Sequence, residues 1–293
     1  MENPFSEQYI KTILQSKNRQ KISVELSPNN NIEMDILEKI RPCFVAVTWL
    51  GNPHLDTRTE DIPAVVLARK LLQHNHPVLL HLAGRNISKE RMFEILTYLK
   101  SIGVKNILAL QGDWIHVLEK DDSKCDFPYT SDLVLFIKTT FGNDFSVGVT
   151  GYPSVQPRSQ NIHEDLKFLK LKVTNGADFI VTQAEFAYEP VESFACLCKQ
   201  NDIHIPILPG IFILKSYKSF VDIAKYCAFK LPQDVHNYLE RYQDDERVVK
   251  EFGLDLAINL AKKYLCNPEL FAGVHIFSMN DLQEVAQFMT KIE

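Results

Sequence analysis

The sequence predicts an α/β protein of the (β/α)8 TIM-barrel class, and three observations lead to that prediction. Eight short apolar segments of strand length alternate with segments of helical periodicity along the 293 residues. Every connection is long enough to return the chain for parallel pairing of consecutive strands. Barrels of this class typically take about 250 residues. We therefore expect residues 1–293 to form one domain, with residues 1–20 as a helical lead-in.

A doubly wound open sheet is the structural alternative, because it also alternates strands and helices. Its dinucleotide-binding version carries a Gly-x-Gly-x-x-Gly turn after the first strand. No such turn follows the first apolar segment, and the barrel is therefore favoured.

The first half of the chain contains the lead-in helix, four strands and three further helices. The lead-in helix, Phe5 to Lys17, places Ile10, Ile13 and Leu14 on one face. Ser88 is the predicted N-cap of the third of the helices that follow. The predicted strands are Ile22–Leu26, Cys43–Trp49, Pro77–Leu82 and Asn106–Leu110, and the predicted helices are Ile32–Ile40, Ile62–His74 and Lys89–Ser101.

The second half continues the alternation, with two extra helices before the last strand. Ser131 is the predicted cap of its first helix, which ends near Phe141, and Asn280 is the predicted cap of its last, which ends near Lys291. The predicted strands are Ser146–Thr150, Asp178–Thr182, Ile205–Ile213 and Gly273–Ser278, and the other helices are Asn161–Asn175, Pro190–Gln200, Tyr217–Ala228, Pro232–Arg241 and Asp244–Leu265.

Composition limits the class of protein. A hydrophobic content of 45% and a charged content of 24% are typical of a soluble globular domain with a sizeable core. The net charge of -5 argues against nucleic acid as the principal partner. No apolar run reaches membrane-spanning length, the start lacks a signal-peptide core, and the six cysteines show no paired spacing. We therefore expect a cytoplasmic protein with free thiols, whose exposed helices offer surfaces for a homo-oligomer.

In a closed barrel the carboxyl ends of all strands meet at one mouth, where ligands bind. The sharpest of these strand ends is Gln111-Gly112-Asp113, in which the glycine permits a tight turn and the aspartate is presented to the mouth. A plain polar turn is the structural alternative for this tripeptide. The candidate residues at the mouth are Glu25, Thr48, His81, Asp113, Tyr152, Gln183, Phe212 and Ser278.

Two of these candidates have a definite structural alternative. Glu25 lies between Val24 and Leu26 in an apolar run, so its side chain is expected to face the barrel interior. Burial disfavours the charged form of a carboxyl, which suits a general acid. Glu25 can instead be a structural carboxyl paired with a lysine. His81 can be a hydrogen-bonded core histidine.

The strand ends taken together resemble the catalytic domain of methylenetetrahydrofolate reductases, which is a flavin barrel. The resemblance runs from Ile22 to about Leu282, and its motifs are specific in order and spacing. Eukaryotic members are the most similar; these usually carry a further C-terminal regulatory domain, which we do not expect in this sequence. The matching stretches are Ser23–Pro28, Val47–Trp49, Ile107–Asp113, Gly151–Pro153, Gly176–Gln183, Leu208–Phe212 and Gly273–Asn280.

The resemblance implies an oxidoreductase that uses NAD(P)H and bound FAD to reduce 5,10-methylenetetrahydrofolate to 5-methyltetrahydrofolate. It implies that Glu25 protonates N10 of the folate and that Asp113 stabilises the resulting iminium cation. Gln183 and Phe212 match substrate-binding positions. The positions that match FAD contacts are Thr48, His81, Asp113, Tyr152, Asp165 and Lys172.

Four departures from the family pattern leave other functions open. Gln111 replaces an arginine, Gln156 a histidine and Phe168 an asparagine. Ala184-Glu185 replaces an apolar or aromatic pair beside the folate and nicotinamide. These changes predict weaker FAD retention and keep open a catalytically silent paralogue that binds folate, flavin or a partner subunit. A third possibility is a flavin barrel acting on another substrate such as proline, which the pterin-facing Gln183 disfavours.

Overall fold

Eight parallel strands close into a barrel in the order in which they occur along the chain, and β8 pairs with β1. The computed structural model describes residues 9–16, 21–28, 32–51, 57–112, 125–154, 161–227 (without the side chains of 224–227) and 231–292. The predicted (β/α)8 TIM barrel is confirmed, and the open sheet is excluded. The strands are β1 (Ile22–Leu26), β2 (Val45–Val47), β3 (Val78–Ala83), β4 (Asn106–Leu110), β5 (Ser146–Gly151), β6 (Phe179–Ala184), β7 (Ile207–Phe212) and β8 (Val274–Phe277).

Helices surround the barrel, and one precedes it. A short 3-10 helix, Thr59–Asp61, leads into the helix between β2 and β3. The α-helices are α1 (Ile10–Gln15), α2 (Met34–Ile40), α3 (Pro63–Gln73), α4 (Lys89–Ser101), α5 (Thr130–Phe141), α6 (Ile162–Thr174), α7 (Tyr188–Gln200), α8 (Tyr217–Cys227), α9 (Gln233–Arg241), α10 (Glu246–Leu265) and α11 (Leu282–Ile292).

The predicted caps of two helices are wrong, and both errors have a local cause. Ser131 lies inside α5, whose first turn is instead tied by Asp132 Oδ2, which accepts from the Tyr129 backbone N at 3.0 Å. At α11, Asp281 Oδ1 accepts from the Glu284 backbone N at 3.0 Å. The Asn280 side chain instead bonds the backbone of Ser27 at the mouth of the barrel. The predicted cap of α4 is confirmed, because Ser88 Oγ accepts from the Arg91 backbone N.

The amino end of the barrel is plugged by α1. Ile10 and Leu14 are buried and pack on interior side chains such as Phe44 and Leu108. The Ile10 backbone N donates to Oδ1 of the buried Asn106 at 2.7 Å, which fixes α1 to the start of β4. The expected lead-in helix thus covers the amino end of the barrel, opposite the carboxyl ends of the strands.

Two further expectations concern single features of the described residues. No helix described here is both long and apolar enough to cross a membrane. The described cysteines Cys43, Cys125, Cys196, Cys198 and Cys266 are free thiols, as expected from their spacing.

Candidate active site

The carboxyl of Glu25 lies in the barrel lumen near the carboxyl end of β1. Its side chain is 14% exposed, and Oε2 lies 3.7 Å from Nε2 of His81 and 4.0 Å from Nε2 of His275. Within the described part of the chain, these two imidazoles are the only basic groups within 4 Å of this carboxyl. Glu25 therefore faces inward as expected, and the alternative of a lysine-paired structural carboxyl is not supported.

His81 comes from the neighbouring part of the barrel, on β3. Burial lowers the pKa of His81 to about 4, against a weaker opposing effect of the Glu25 charge. His81 is therefore neutral at neutral pH and gives Glu25 no countercharge. Its Nε2 has no hydrogen-bond partner among the described residues. The alternative of a fully hydrogen-bonded core histidine is therefore not supported.

His275 and Ser23 are interior residues that the sequence analysis did not include. Both are buried, and Ser23 Oγ lies 2.8 Å from His275 Nδ1. The signal that could have found His275 is the two-residue period of β8. Val274 and Ile276 pack in the large cluster outside the sheet, so His275 and Phe277 between and after them point inward. The predicted mouth residue on this strand, Ser278, is the last residue of the predicted strand and does not follow that alternation.

A hydrogen-bonded rim joins the carboxyl ends of β1, β2 and β8. The Thr48 hydroxyl donates to Ser27 Oγ at 3.0 Å, and the Ser278 hydroxyl donates to the backbone carbonyl of Glu25. Asn280 accepts from the Ser27 N at 2.7 Å and donates to the Ser27 carbonyl at 3.0 Å. Thr48 and Ser278 thus serve to fix the backbone around Glu25.

Replacing Asn280 is expected to loosen this rim. Asn280→Ala removes two partly buried hydrogen bonds and leaves alanine at a φ of 63°, so the free energy of unfolding should fall by about 2 kcal/mol. Urea denaturation measures the loss. Asn280→Gly is the matched control, because it removes the same bonds without the backbone strain. A smaller loss for alanine than for glycine would contradict the assignment of strain to this position.

Aromatic and amide groups from β6, β7 and β8 face the same mouth. Gln183, near the end of β6, and Phe212, at the end of β7, are both partly exposed. The ring centroids of Phe212 and Phe277 lie 5.0 Å apart, and Phe277 pairs in register with both Phe212 and Glu25. An apolar wall therefore runs from Phe212 to the Glu25 carboxyl, which suits a flat ligand.

On the opposite side of the barrel, a recess brings together three predicted cofactor contacts. Tyr152, Asp165 and Lys172 line it, along with Thr150 and Phe168. Lys172 Nζ donates to the Thr150 carbonyl at 2.9 Å. Burial lowers the pKa of Lys172 to about 8, against a smaller opposing effect of Asp165. A buried ammonium with donors to spare beside an open recess can bind an anion.

The end of β4 is only partly described. Asp113 and Gln156 lie outside the described residues. Gln111 Nε2 donates to the Pro128 carbonyl at 2.6 Å, and the Gln111 carbonyl accepts from the Arg85 backbone N at 3.0 Å. Arg85 is 3% exposed and was not considered in the sequence analysis. The backbone of a buried arginine is thus bonded to the backbone at the position where Gln111 replaces the arginine of the family pattern.

Two other departures from the family pattern have definite structural settings. Glu185 is buried, and its Oε1 accepts from Ser154 Oγ at 2.5 Å and from the Ser154 backbone N at 3.2 Å. Burial raises the pKa of Glu185, against the opposing hydrogen bonds of Ser154. The Phe168 ring is 48% exposed and stacks on Tyr129. Glu185 therefore ties the end of β6 to the loop after β5.

No group of three or more His, Cys, Asp or Glu side chains in the described ranges could hold a metal ion.

Comparison with known proteins identifies the family. The family model for methylenetetrahydrofolate reductase matches residues 14–293. Methylenetetrahydrofolate reductase 1 of Schizosaccharomyces pombe is 34% identical over 242 residues, which are 82% of this chain and 39% of that protein. Methylenetetrahydrofolate reductase (NADH) 1 of Arabidopsis thaliana is 30% identical over 257 residues, which are 84% of this chain and 42% of that protein.

A solved structure shares the fold at low sequence identity. It is an uncharacterized protein from Clostridium thermocellum that binds two copies of 5-methyl-5,6,7,8-tetrahydrofolic acid. The TM-score is 0.62 at 14% identity, over 97% of this chain and 98% of the other. The chain spans about two fifths of the length of the two curated relatives. Because the family model covers nearly the whole sequence, the chain belongs to the methylenetetrahydrofolate reductase family.

Proposed function

We propose that this chain reduces 5,10-methylenetetrahydrofolate to 5-methyltetrahydrofolate, with NAD(P)H as the source of the hydride and FAD as its carrier. The observation that carries the proposal is the Glu25 carboxyl, which is held inside the mouth beside two imidazoles and no described lysine or arginine. Membership of the family supports the choice of substrate.

Glu25 supplies the proton in this proposal. Proton transfer from the carboxyl to N10 of the folate weakens the bond between N10 and the bridging carbon, and the five-membered ring opens to a 5-iminium cation. A hydride then reduces the iminium carbon to the methyl group, and solvent returns a proton to Glu25. Asp113 is proposed to stabilise the cation electrostatically, and Gln183 to bind the pterin through its amide donors and acceptor. Phe212 contributes an apolar surface beside the pterin.

The residues of this chain fit FAD. When bound, FAD accepts a hydride from the nicotinamide and passes it to the folate. Lys172 is proposed to bind the pyrophosphate, with Asp165 and Tyr152 beside it in the same recess. Thr48 and His81 are proposed to contact the cofactor at the carboxyl-end half of the barrel, near β2 and in β3.

The pKa of Lys172 predicts how FAD binding depends on pH. Below its pKa of about 8 the side chain is a cation, and above it the side chain is neutral. FAD affinity should therefore fall as the pH rises through 8, and FAD fluorescence quenching measures it. Lys172→Met should bind FAD weakly at every pH and lose the dependence. An unchanged pH profile in Lys172→Met would show that another group controls cofactor binding.

The alternative is a catalytically silent paralogue that binds folate, flavin or a partner subunit. Gln111, Gln156 and Glu185 favour it, because each departs from the family pattern near a proposed ligand. Anaerobic half-reactions separate the two functions. Bleaching of bound flavin by NADH or NADPH, followed by its reoxidation with methylenetetrahydrofolate, supports the reductase. A protein that binds folate and shows neither change is the silent paralogue.

The nicotinamide, the domain extent, the location and the oligomeric state complete the proposal. Anaerobic titration with each nicotinamide decides between NADH and NADPH. We propose one catalytic domain over residues 1–293, a cytoplasmic location and a folate substrate as the principal ligand. A homo-oligomer would use the exposed helices, and sedimentation measures it.

A further inference from the structure

The hydroxyl of Ser23 determines which nitrogen of His275 carries a hydrogen. Ser23 is fully buried, and its Oγ lies 3.1 Å from the Val274 carbonyl oxygen and 2.8 Å from His275 Nδ1. When both contacts are hydrogen bonds, the single hydroxyl hydrogen of Ser23 goes to Val274, because a carbonyl oxygen can only accept. Ser23 Oγ then accepts from His275, and that hydrogen must lie on Nδ1.

A neutral imidazole with a hydrogen on Nδ1 has a lone pair on Nε2. Nε2 of His275 has no hydrogen-bond partner among the described residues, although the side chain is 1% exposed. Two aromatic rings hold the imidazole in place. Phe44 stacks on it with the ring centroids 6.2 Å apart, and Phe277 packs edge-on against it with the ring centroids 4.9 Å apart. The lone pair is therefore fixed in direction, towards Oε2 of Glu25 at 4.0 Å.

Two buried imidazoles thus direct Nε2 at the same oxygen of Glu25. A protonated carboxyl suits both, because Oε2–H can donate to His275 and Oε2 can accept from a hydrogen on Nε2 of His81. An ionised carboxylate would instead face the His275 lone pair. Both separations are longer than a hydrogen bond, as is common for catalytic contacts before substrate is bound.

We propose that Ser23 and His275 are positioning residues for Glu25, and that the Nδ1–H tautomer of His275, fixed by Ser23, holds the proton that Glu25 delivers. Ser23, His275 and Glu25 form a chain of side chains across β1 and β8. The inference deepens the proposed function and rests on the role of Glu25 as proton donor.

The tautomer of His275 is measurable in the purified protein without turnover. Long-range proton–nitrogen NMR of 15N-histidine-labelled protein should show His275 with its hydrogen on Nδ1, assigned by the signal absent in His275→Gln. Ser23→Ala removes the acceptor, so His275 should shift towards the Nε2–H tautomer. An Nε2–H tautomer in the wild type, or an unchanged tautomer in Ser23→Ala, would overturn the hydrogen-bond chain.

The kinetic effect separates positioning from a structural role. Ser23→Ala should slow the folate half-reaction by about tenfold and leave flavin reduction by the nicotinamide unchanged within about twofold. Ser146→Ala is the matched control, because Ser146 is an equally buried strand serine whose Oγ has no hydrogen-bond partner among the described residues. It should change neither half-reaction nor the tautomer.

Failure of the Ser23–His275–Glu25 inference can be told apart from failure of the proposed reductase function. A wild-type protein that reduces no folate removes the reductase, and the NMR result then decides the hydrogen-bond chain by itself. A changed tautomer with a full folate rate in Ser23→Ala would overturn the positioning role. Equal slowing of both half-reactions would do the same, because it would indicate a general structural defect.

Discussion

Glu25→Gln is expected to slow the folate half-reaction by about 10²- to 10⁴-fold while flavin reduction by the nicotinamide stays nearly intact. The amide is close in size to the carboxyl, so packing beside His81 and His275 is retained. It cannot release a proton at neutral pH, and only the step that opens the folate ring needs one. Stopped-flow absorbance of the flavin under anaerobic conditions measures each half-reaction separately.

The matched control is Glu38→Gln. Glu38 also lies beside a histidine, with Oε1 at 2.9 Å from Nδ1 of His74. Glu38 lies within α2 and His74 caps the carboxyl end of α3, so this pair is on the side of the barrel where the strands begin. Glu38→Gln should leave both half-reactions unchanged. Equal loss of both in Glu25→Gln, with retained flavin, would show that Glu25 acts on the cofactor rather than on the folate.

The strands that position this site were predictable because their sequence patterns are simple. β1 and β4 have their predicted limits, and α4 has both its limits and its cap. Each is an apolar run or a periodic segment bounded by residues with local preferences. In these segments the local preferences and the tertiary contacts specify the same structure.

The interior of the barrel was less predictable, because the contacts of its side chains are made with residues that are distant in sequence. Asn280 has the residue type of a helix cap but bonds Ser27, 253 residues earlier. His275 gains its significance from Ser23 and Glu25 on the adjacent strand. Such pairings cannot be predicted from a single sequence, because they form only when β1 and β8 come together in the closed barrel.

Gly210 on β7 is expected to be a position where a single methyl group strongly lowers the free energy of unfolding. An added Cβ would lie 2.5 Å from Cε2 of Phe277 and 2.5 Å from the backbone carbonyl oxygen of Thr182. The strand pairing between β6 and β7 shifts register between Val181 and Ala184, and the Gly210 backbone N donates to Thr182 Oγ1 at 3.1 Å. The close approach of the two strands therefore requires glycine.

Gly210→Ala should lower the free energy of unfolding by about 3 kcal/mol, because the strand backbone at Thr182 cannot move aside freely and the Phe277 ring is packed against Phe212 and His275. Urea denaturation measures it. Gly51→Ala is the control: a Cβ there meets no atom of the described residues within 4 Å, so the φ of 65° should be its main cost, about 1 to 2 kcal/mol.

A second variant tests the cause of the loss at Gly210. Phe277→Ala opens space beside Gly210, so the double variant should be more stable than the sum of the two single losses predicts. The residual loss measures the clash with the Thr182 carbonyl, which Phe277→Ala does not relieve. Strict additivity would exclude the Phe277 ring as the obstacle. Because Phe277 pairs in register with Glu25, the same double variant should also disturb the folate half-reaction, which links the packing of the lumen to its proposed chemistry.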